Sequence, residues 1–420
     1  MAKYVINGGR RLEGKIRVGG AKNAILPILA AVLLTEKQVV LHDCPDLLDV
    51  KKTILILESI GCKVKREGRD LIIDPSTVTS CAIPDCYVRE IRSSIIFLGA
   101  MLSRAGRARV TYPGGCEIGQ RPIDLHLKGL RQLGVLIDES NGYLDCVVPK
   151  MEGGVIHLDY PSVGATENIM LAAVKAKGRT VIHNAAKEPE IVDLQNFINA
   201  MGGNVRGAGT NTIVVEGVHR GFHEVEYTII PDRIVAGTYM VAAAITGGDV
   251  LIDNVIPEHV QSIIHKLKEV GCTVQIQDSC IRVKSKHRLR AIEHIKTLPY
   301  PGFPTDMQAQ FTSLLSVARG TSIITETIFE NRFRHVPELV RMGANIRIDG
   351  QTAIIHGVKA LKGANVVAKD LRGGAALVLA GLRAEGQTVV ENAFYIDRGY
   401  EHLEVALRGI GADIVKSNDG

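Results

Sequence analysis

The 420-residue chain reads as an α/β protein assembled from one small repeated unit. Two observations carry that reading. First, an amphipathic run closing on a glycine and followed by a short β-branched stretch comes back six times: LESIGCKV at Gly61, LRQLGVLI at Gly134, INAMGGNV at Gly202, LKEVGCTV at Gly271, LVRMGANI at Gly343 and LRGIGADI at Gly411. Successive glycines lie ~70 residues apart, a period that marks stacked or ring-arranged supersecondary units. Second, helix-period and strand-period patterns alternate between these landmarks, as in βαβ chains with added hairpins.

In register, each unit opens with a helix, as in AILPILAAVLL after Asn23, SSIIFLGAML after Arg92 and AALVLAGLRA after Gly374. A strand follows (VVLHD, ARVTYP, TVIHNAA, DVLIDN, SIITETI, TVVENAF), then a loop and a second helix ending at the signature glycine. A glycine suits that place because a left-handed helix cap carries no penalty without a Cβ. Two more strands close each unit, as in CKVKREGRDLIID. The opening stretch YVINGGRRLEGKIRVGGAKN resembles TAIIHGVKALKGANVVAKDLRGG near the other end. Residues before Lys22 therefore read as closing strands of the last repeat displaced to the front. Three repeats per domain is the simplest partition, with 22–229 as one domain and 1–21 plus 230–420 as the other. Short hinges rather than linkers are expected, since no Pro/Ser-rich segment is present.

Composition narrows the function. A net charge of +5, no Trp and 4% aromatic residues argue against a single-strand nucleic-acid binder, which needs stacking platforms and strongly basic grooves. A small anionic substrate suits the balance better. No run approaches ~18 uninterrupted apolar residues, so a membrane span is not expected, and the start MAKYVINGGRRLEG lacks the apolar core of a secretory signal. The eight cysteines are scattered without a framework and read as reduced cytoplasmic thiols. Cys81 and Cys86 have no second pair at zinc-ligand spacing, so no metal is expected.

Because the register is shared, a residue that differs from its five counterparts is a candidate for chemistry. The first helix of each unit begins with polar residues: Lys22 and Asn23, Arg92, Ser162 to Gly164, Asp232 and Arg233, Asp306, and Asp370 with Arg372. Helix starts attract phosphate and carboxylate through free N–H groups and the dipole. A basic residue there is unfavourable in isolation, so Lys22, Arg92, Arg233 and Arg372 either face an anion or are tolerated by tertiary packing. The loop after the first strand is longest in the second repeat, YPGGCEIGQRPIDLHLKG. Its Cys116 lies near Arg121, where a thiol can have a lowered pKa, or is an incidental loop cysteine. Matching loops carry Arg332 and Arg398, forks suited to anions or to salt bridges. Asp306 is open to two readings, a helix N-cap or a general base.

On GGAKNAILP, YPGGCEIGQRPIDLH, SVGAT, KEPEIVD, PTDMQAQF, TETIFENRFRHVPEL and IDRGYE, essentially the whole chain resembles the enolpyruvyl transferases, in the branch that uses UDP-N-acetylglucosamine. The resemblance implies two inverse α/β barrel domains, each from three βαβαββ repeats, with the active site in the interdomain cleft. It implies transfer of enolpyruvyl from phosphoenolpyruvate to the sugar 3-hydroxyl, with release of phosphate, as the first committed step of bacterial peptidoglycan synthesis in the cytoplasm. The implied partners are those two small molecules, with no cofactor, no metal, no nucleic acid and no membrane; oligomeric state is not implied.

Position by position, Cys116 matches the thiol that protonates the methylene carbon and is alkylated by fosfomycin. Lys22, Arg121 and Arg398 match the basic set around phosphate and carboxylate, with Asn23 beside them. Asp306 matches the base at the 3-hydroxyl. Arg92, Arg121, Pro122, Ile123, Asp124, Leu125, Ser162, Val163, Gly164 and Ile328 match the uridine-nucleotide side. Arg332, Asp370 and Arg372 match further cleft residues. Two departures stand near the thiol, Tyr112 before the PGGC turn and Glu117 after Cys116; the added carboxylate opposes Arg121. The sister enzyme acting on shikimate 3-phosphate lacks the long cysteine loop and SVGAT. A non-catalytic paralogue binding the nucleotide sugar is the other alternative, and it would be expected to have lost Cys116, Asp306, Lys22 or Arg398.

Overall fold

All six signature glycines adopt positive φ, from 88° at Gly134 to 108° at Gly61. Each ends its helix with the same pair of hydrogen bonds. At the first, Gly61 N–H donates to Glu58 O at 3.0 Å and Cys62 N–H to Leu57 O at 2.9 Å; at the last, Gly411 N–H donates to Arg408 O at 3.0 Å and Ala412 N–H to Leu407 O at 3.1 Å. This is the Schellman arrangement, which satisfies carbonyls the helix leaves unpaired. It explains why the glycine recurs where the flanking residues vary.

The computed structural model describes residues 2–112, 123–285 and 288–418. The chain forms two compact units, one running from Gly20 to Ile230, the other containing the residues up to Gly19 and those from Pro231 onward. Each has its own apolar core.

In the Gly20–Ile230 unit, the helices Lys22–Ala31, Phe97–Ala105 and Val163–Ala173 are buried along nearly their whole length. A helix apolar all round has no face to offer water and becomes the centre. The second helices of the repeats are amphipathic instead. Asp124–Gln132, for example, buries His126, Leu127, Gly129 and Leu130 and leaves its other face polar. Small sheets cover the outside of this helical core. One runs Val225–Thr228, Val39–His42, Asp70–Asp74, Lys63–Glu67; its first pair is parallel and the rest antiparallel.

The second unit repeats the plan around Arg233–Ile245, Gln308–Leu315 and Leu371–Arg383, which pack on one another. Its three sheets each have four strands. Buried and part-exposed residues alternate along strands such as Asp249–Asp253 and Thr352–His356, as expected when one sheet face meets a core and the other meets solvent. Helices inside and sheets outside make each unit an inverse α/β barrel.

The front of the chain divides its service differently from the sequence expectation. Ala2–Asn7 lies between Gln387–Glu391 and Asp413–Asn418 and does close the last repeat. Glu13–Arg17 does not; it pairs parallel with Asp249–Asp253 and opens the fourth repeat. Both segments read as strands, and only long-range pairing shows that they belong to different sheets. A further regularity was not drawn from the sequence. Asp43, Asn184, Asn254 and Asn392, each just after the first long strand of a repeat, all hold φ of 55–58°. Asx side chains tolerate this left-handed conformation, and Asn184 and Asn254 each donate to a carbonyl at the end of the neighbouring strand, Leu158 O at 2.8 Å and Val18 O at 2.7 Å.

Candidate active site

Lys22 is the first residue of the helix Lys22–Ala31 and is buried. Its Nζ meets Asp49 Oδ2 at 2.7 Å, with the two side chains 11% and 4% exposed. Asp49 stands in the first turn of Leu48–Ser59, where a carboxylate is favoured by the dipole. Sequence reasoning passed over Asp49; the signal available was an acid in an otherwise apolar run, PDLLDV. Asn23, next in the helix, is half-buried. Pro27 sits inside this helix and has no N–H, so the Asn23 carbonyl receives no helical bond from it.

Two groups of the predicted nucleotide residues of this unit lie on helices that pack together. Ser162 caps the helix Val163–Ala173, its Oγ accepting from Ala165 N at 3.3 Å. Ile123, Asp124 and Leu125 lie at the start of Asp124–Gln132, which packs on that helix. His126, also passed over in the sequence, is part of that contact. Asn168 Nδ2 donates to His126 Nδ1 at 3.1 Å, and a Cβ on Gly164 would come within 3.0 Å of the imidazole. A side chain at 164 would therefore require the imidazole to give by a few tenths of an ångström. Arg92 begins the short turn Arg92–Ile96. Cys116, Arg121 and Pro122 lie outside the described residues.

The second unit gathers Asp306, Arg332 and Arg372. Asp306 is not an N-cap. It lies within the turn Thr305–Met307, whose capping position is Pro304. Its Oδ1 accepts from Arg332 Nη2 at 2.7 Å, and its Oδ2 from Arg372 Nη2 at 3.0 Å and Nε at 3.2 Å. Both arginines are 3% exposed, whereas the carboxylate keeps 26% exposure. Burial works against the Arg372 charge, but Asp306, with Tyr400 and Asp232, more than offsets it and holds the guanidinium protonated. From behind, Gln310 Nε2 donates to Asp306 O at 2.9 Å and to Tyr400 Oη at 3.1 Å, and the Tyr400 ring lies 5.3 Å from the Arg372 guanidinium. The carboxylate is thus held by both guanidiniums and keeps about a quarter of its surface exposed.

Asp370, one of the further cleft candidates, stands at a helix start. Its Oδ1 caps the helix Leu371–Arg383, accepting from Arg372 N at 3.0 Å and Gly373 N at 2.8 Å. Through that cap it sets the start from which Arg372 reaches Asp306. Ile328 lies in the turn after the strand Thr321–Thr325, and Arg398 is half-buried at the end of Ala393–Arg398.

His335, three residues after Arg332, is fully buried. Burial pushes its imidazole down to about 4, with Asp370 opposing and Arg332 reinforcing the shift. A folded value below the ordinary one means that the neutral ring contributes stability complete above about pH 6.5 and lost as pH falls toward 4. In His335→Gln, the fall in unfolding free energy across that window should shrink by roughly 3 kcal/mol relative to wild type. Urea denaturation at a series of pH values measures it; parallel curves for the two proteins would disprove the assignment.

The seven cysteines among the described residues are all free. Burial pushes Cys44, Cys62, Cys146 and Cys272 up to about 12, the state of inert structural thiols.

Known proteins resemble this chain along nearly its whole length. The family described as EPSP synthase (3-phosphoshikimate 1-carboxyvinyltransferase) matches residues 6–407. The chain is 59% identical over 416 residues to UDP-N-acetylglucosamine 1-carboxyvinyltransferase 2 of Caldanaerobacter subterraneus subsp. tengcongensis, covering 99% of this chain and 100% of that protein. It is 53% identical over 418 residues to UDP-N-acetylglucosamine 1-carboxyvinyltransferase 1 of Symbiobacterium thermophilum, covering 98% and 94%. Among solved structures, the enolpyruvyl transferase NikO from Streptomyces tendae superposes with a TM-score of 0.87 at 25% identity, covering 100% of this chain and 99% of that one. The barrels, the match along nearly the whole chain and the relatives at more than half identity lead to one conclusion: this chain belongs to the enolpyruvyl transferase family, alongside the UDP-N-acetylglucosamine 1-carboxyvinyltransferases.

Proposed function

We propose that the chain transfers the enolpyruvyl group of phosphoenolpyruvate to the 3-hydroxyl of UDP-N-acetylglucosamine, releasing phosphate, in the bacterial cytoplasm as the step that opens peptidoglycan synthesis. The observation that carries the reading is the Asp306 carboxylate, gripped by Arg332 and Arg372 yet a quarter exposed. A carboxylate so placed can accept a hydroxyl proton without having to be repositioned.

Phosphoenolpyruvate presents a phosphate and a carboxylate, and Lys22, Arg121 and Arg398 are the cations that hold it, with Asn23 alongside. The Cys116 thiol delivers its proton to the methylene carbon while the sugar oxygen bonds to the neighbouring carbon and passes its proton to Asp306. The adduct then loses phosphate, which leaves with the proton gathered on Asp306, while one proton of the new methyl group returns to the thiolate and the double bond is restored. Fixed cations stabilise the charge that moves during both steps. Arg92, Pro122, Ile123 to Leu125, Ser162 to Gly164 and Ile328 hold the nucleotide sugar. No step of this scheme calls on a metal or cofactor.

Phosphate release tests the reading. It should require phosphoenolpyruvate and UDP-N-acetylglucosamine together and fall to background when either is omitted. Release on shikimate 3-phosphate instead would assign the chain to the sister activity, and none with either acceptor would leave it a nucleotide-sugar binder.

A further inference from the structure

We infer that Glu326 is a positioning residue, coupling the turn that bears Asp306 to the segment that bears Ile328; the inference rests on the reading of Asp306 as the acceptor of the 3-hydroxyl proton. Glu326 has no exposed surface, yet its carboxylate is filled by four donors. Oε1 accepts from Thr297 Oγ1 at 2.9 Å, Ile328 N at 2.8 Å and Phe329 N at 3.2 Å. Oε2 accepts from Thr305 Oγ1 at 2.8 Å. A buried carboxylate is tolerated when its lone pairs are met in this way.

The donors come from different places. Ile328 and Phe329 follow Glu326 directly, and those bonds alone would make an ordinary turn. Thr305 is 21 residues distant and adjoins Asp306. Thr297 is stitched to the same turn a second time, its Oγ1 accepting from Thr327 N at 2.9 Å and its carbonyl from Thr327 Oγ1 at 2.5 Å. A local cap needs none of these long-range bonds. Their effect is to hold the backbone just before Asp306 and the backbone of Ile328 to one rigid carboxylate. Beyond it, Phe329 lies 5.4 Å from the Arg332 guanidinium that grips Asp306. Base and nucleotide contact are thereby set at a constant separation, and an error on the order of 1 Å in such geometry can cost about a hundredfold in rate.

Steady-state kinetics on Thr305→Val, Thr305→Ser, Glu326→Gln and Asp306→Asn, with both substrates varied, tests this. Thr305→Val keeps shape and removes the donor. It should lower kcat by about ten- to a hundredfold with KM for phosphoenolpyruvate little changed, and Thr305→Ser should recover most of the loss. Glu326→Gln should lower kcat and also raise KM for UDP-N-acetylglucosamine, because both arms loosen. Should Glu326→Gln fail to fold, the threonine pair still decides. Wild-type turnover in Thr305→Val beside an inactive Asp306→Asn overturns the inference and leaves the base reading standing. Equal losses in the valine and serine variants also overturn it, and wild-type turnover in Asp306→Asn overturns both.

Discussion

Asp306→Asn is expected to lower kcat by about two to four powers of ten, the usual contribution of a general base. Asparagine preserves the shape and leaves one oxygen to accept from Arg332 or Arg372, so the turn should persist. What it removes is the ability to collect the hydroxyl proton. Both nearly buried guanidiniums then lose their charged partner, one of them facing an amide NH2 in place of an acceptor, and breaking such a buried pair costs at most roughly 3–5 kcal/mol. The 26% exposure of Asp306 lets water absorb part of that cost. The variant should therefore be less stable but folded, with UDP-N-acetylglucosamine still bound. Phosphate release measures the first effect, and calorimetric titration of the nucleotide sugar the second. Normal turnover would remove Asp306 from the chemistry; lost binding together with lost turnover would make it a substrate anchor.

Cys116→Ser should reduce turnover by a similar factor, about two to four powers of ten, while nucleotide-sugar affinity stays near that of wild type. A hydroxyl gives up its proton far less readily than a thiol, and the four buried cysteines are not suited to replace it. The four buried ones are pushed up to about 12 by burial, away from the electropositive, accessible setting a reactive thiol needs. Fosfomycin should accordingly add once to the wild-type chain, and mass spectrometry should find no adduct in Cys116→Ser. Adduct formation at another cysteine, or undiminished activity in the variant, would defeat the proton-donor assignment.

Much of the chemistry of both units was legible as residue types without partners. Lys22, Arg372 and Asp306 stood out because a basic or acidic side chain at a helix start needs a reason. Which reason applied was not readable. Asp306 and Asp370 looked alike, each an acid opening an inner helix, yet one is gripped by two arginines and the other caps. Asp49, His126 and Glu326 were missed because each sits in a stretch that reads as ordinary helix or turn. Their significance comes from Lys22, Gly164 and Thr305, which lie far from them in sequence.

Sequence alone determined the six-unit register, the helix-ending glycines and the apolar character of the inner helices. These depend on short-range physics: a left-handed cap needs a residue without a Cβ within one turn of the helix end, and a helix with no polar face must be enclosed. Tertiary structure decided which sheet Glu13–Arg17 joins, what neutralises Lys22, and how Asp306 is aimed. Each of those outcomes is a pairing between segments separated by tens to hundreds of residues, 66 for Arg372 and Asp306. Hydrogen-bond and charge complementarity is settled only when folding has placed the partners within reach.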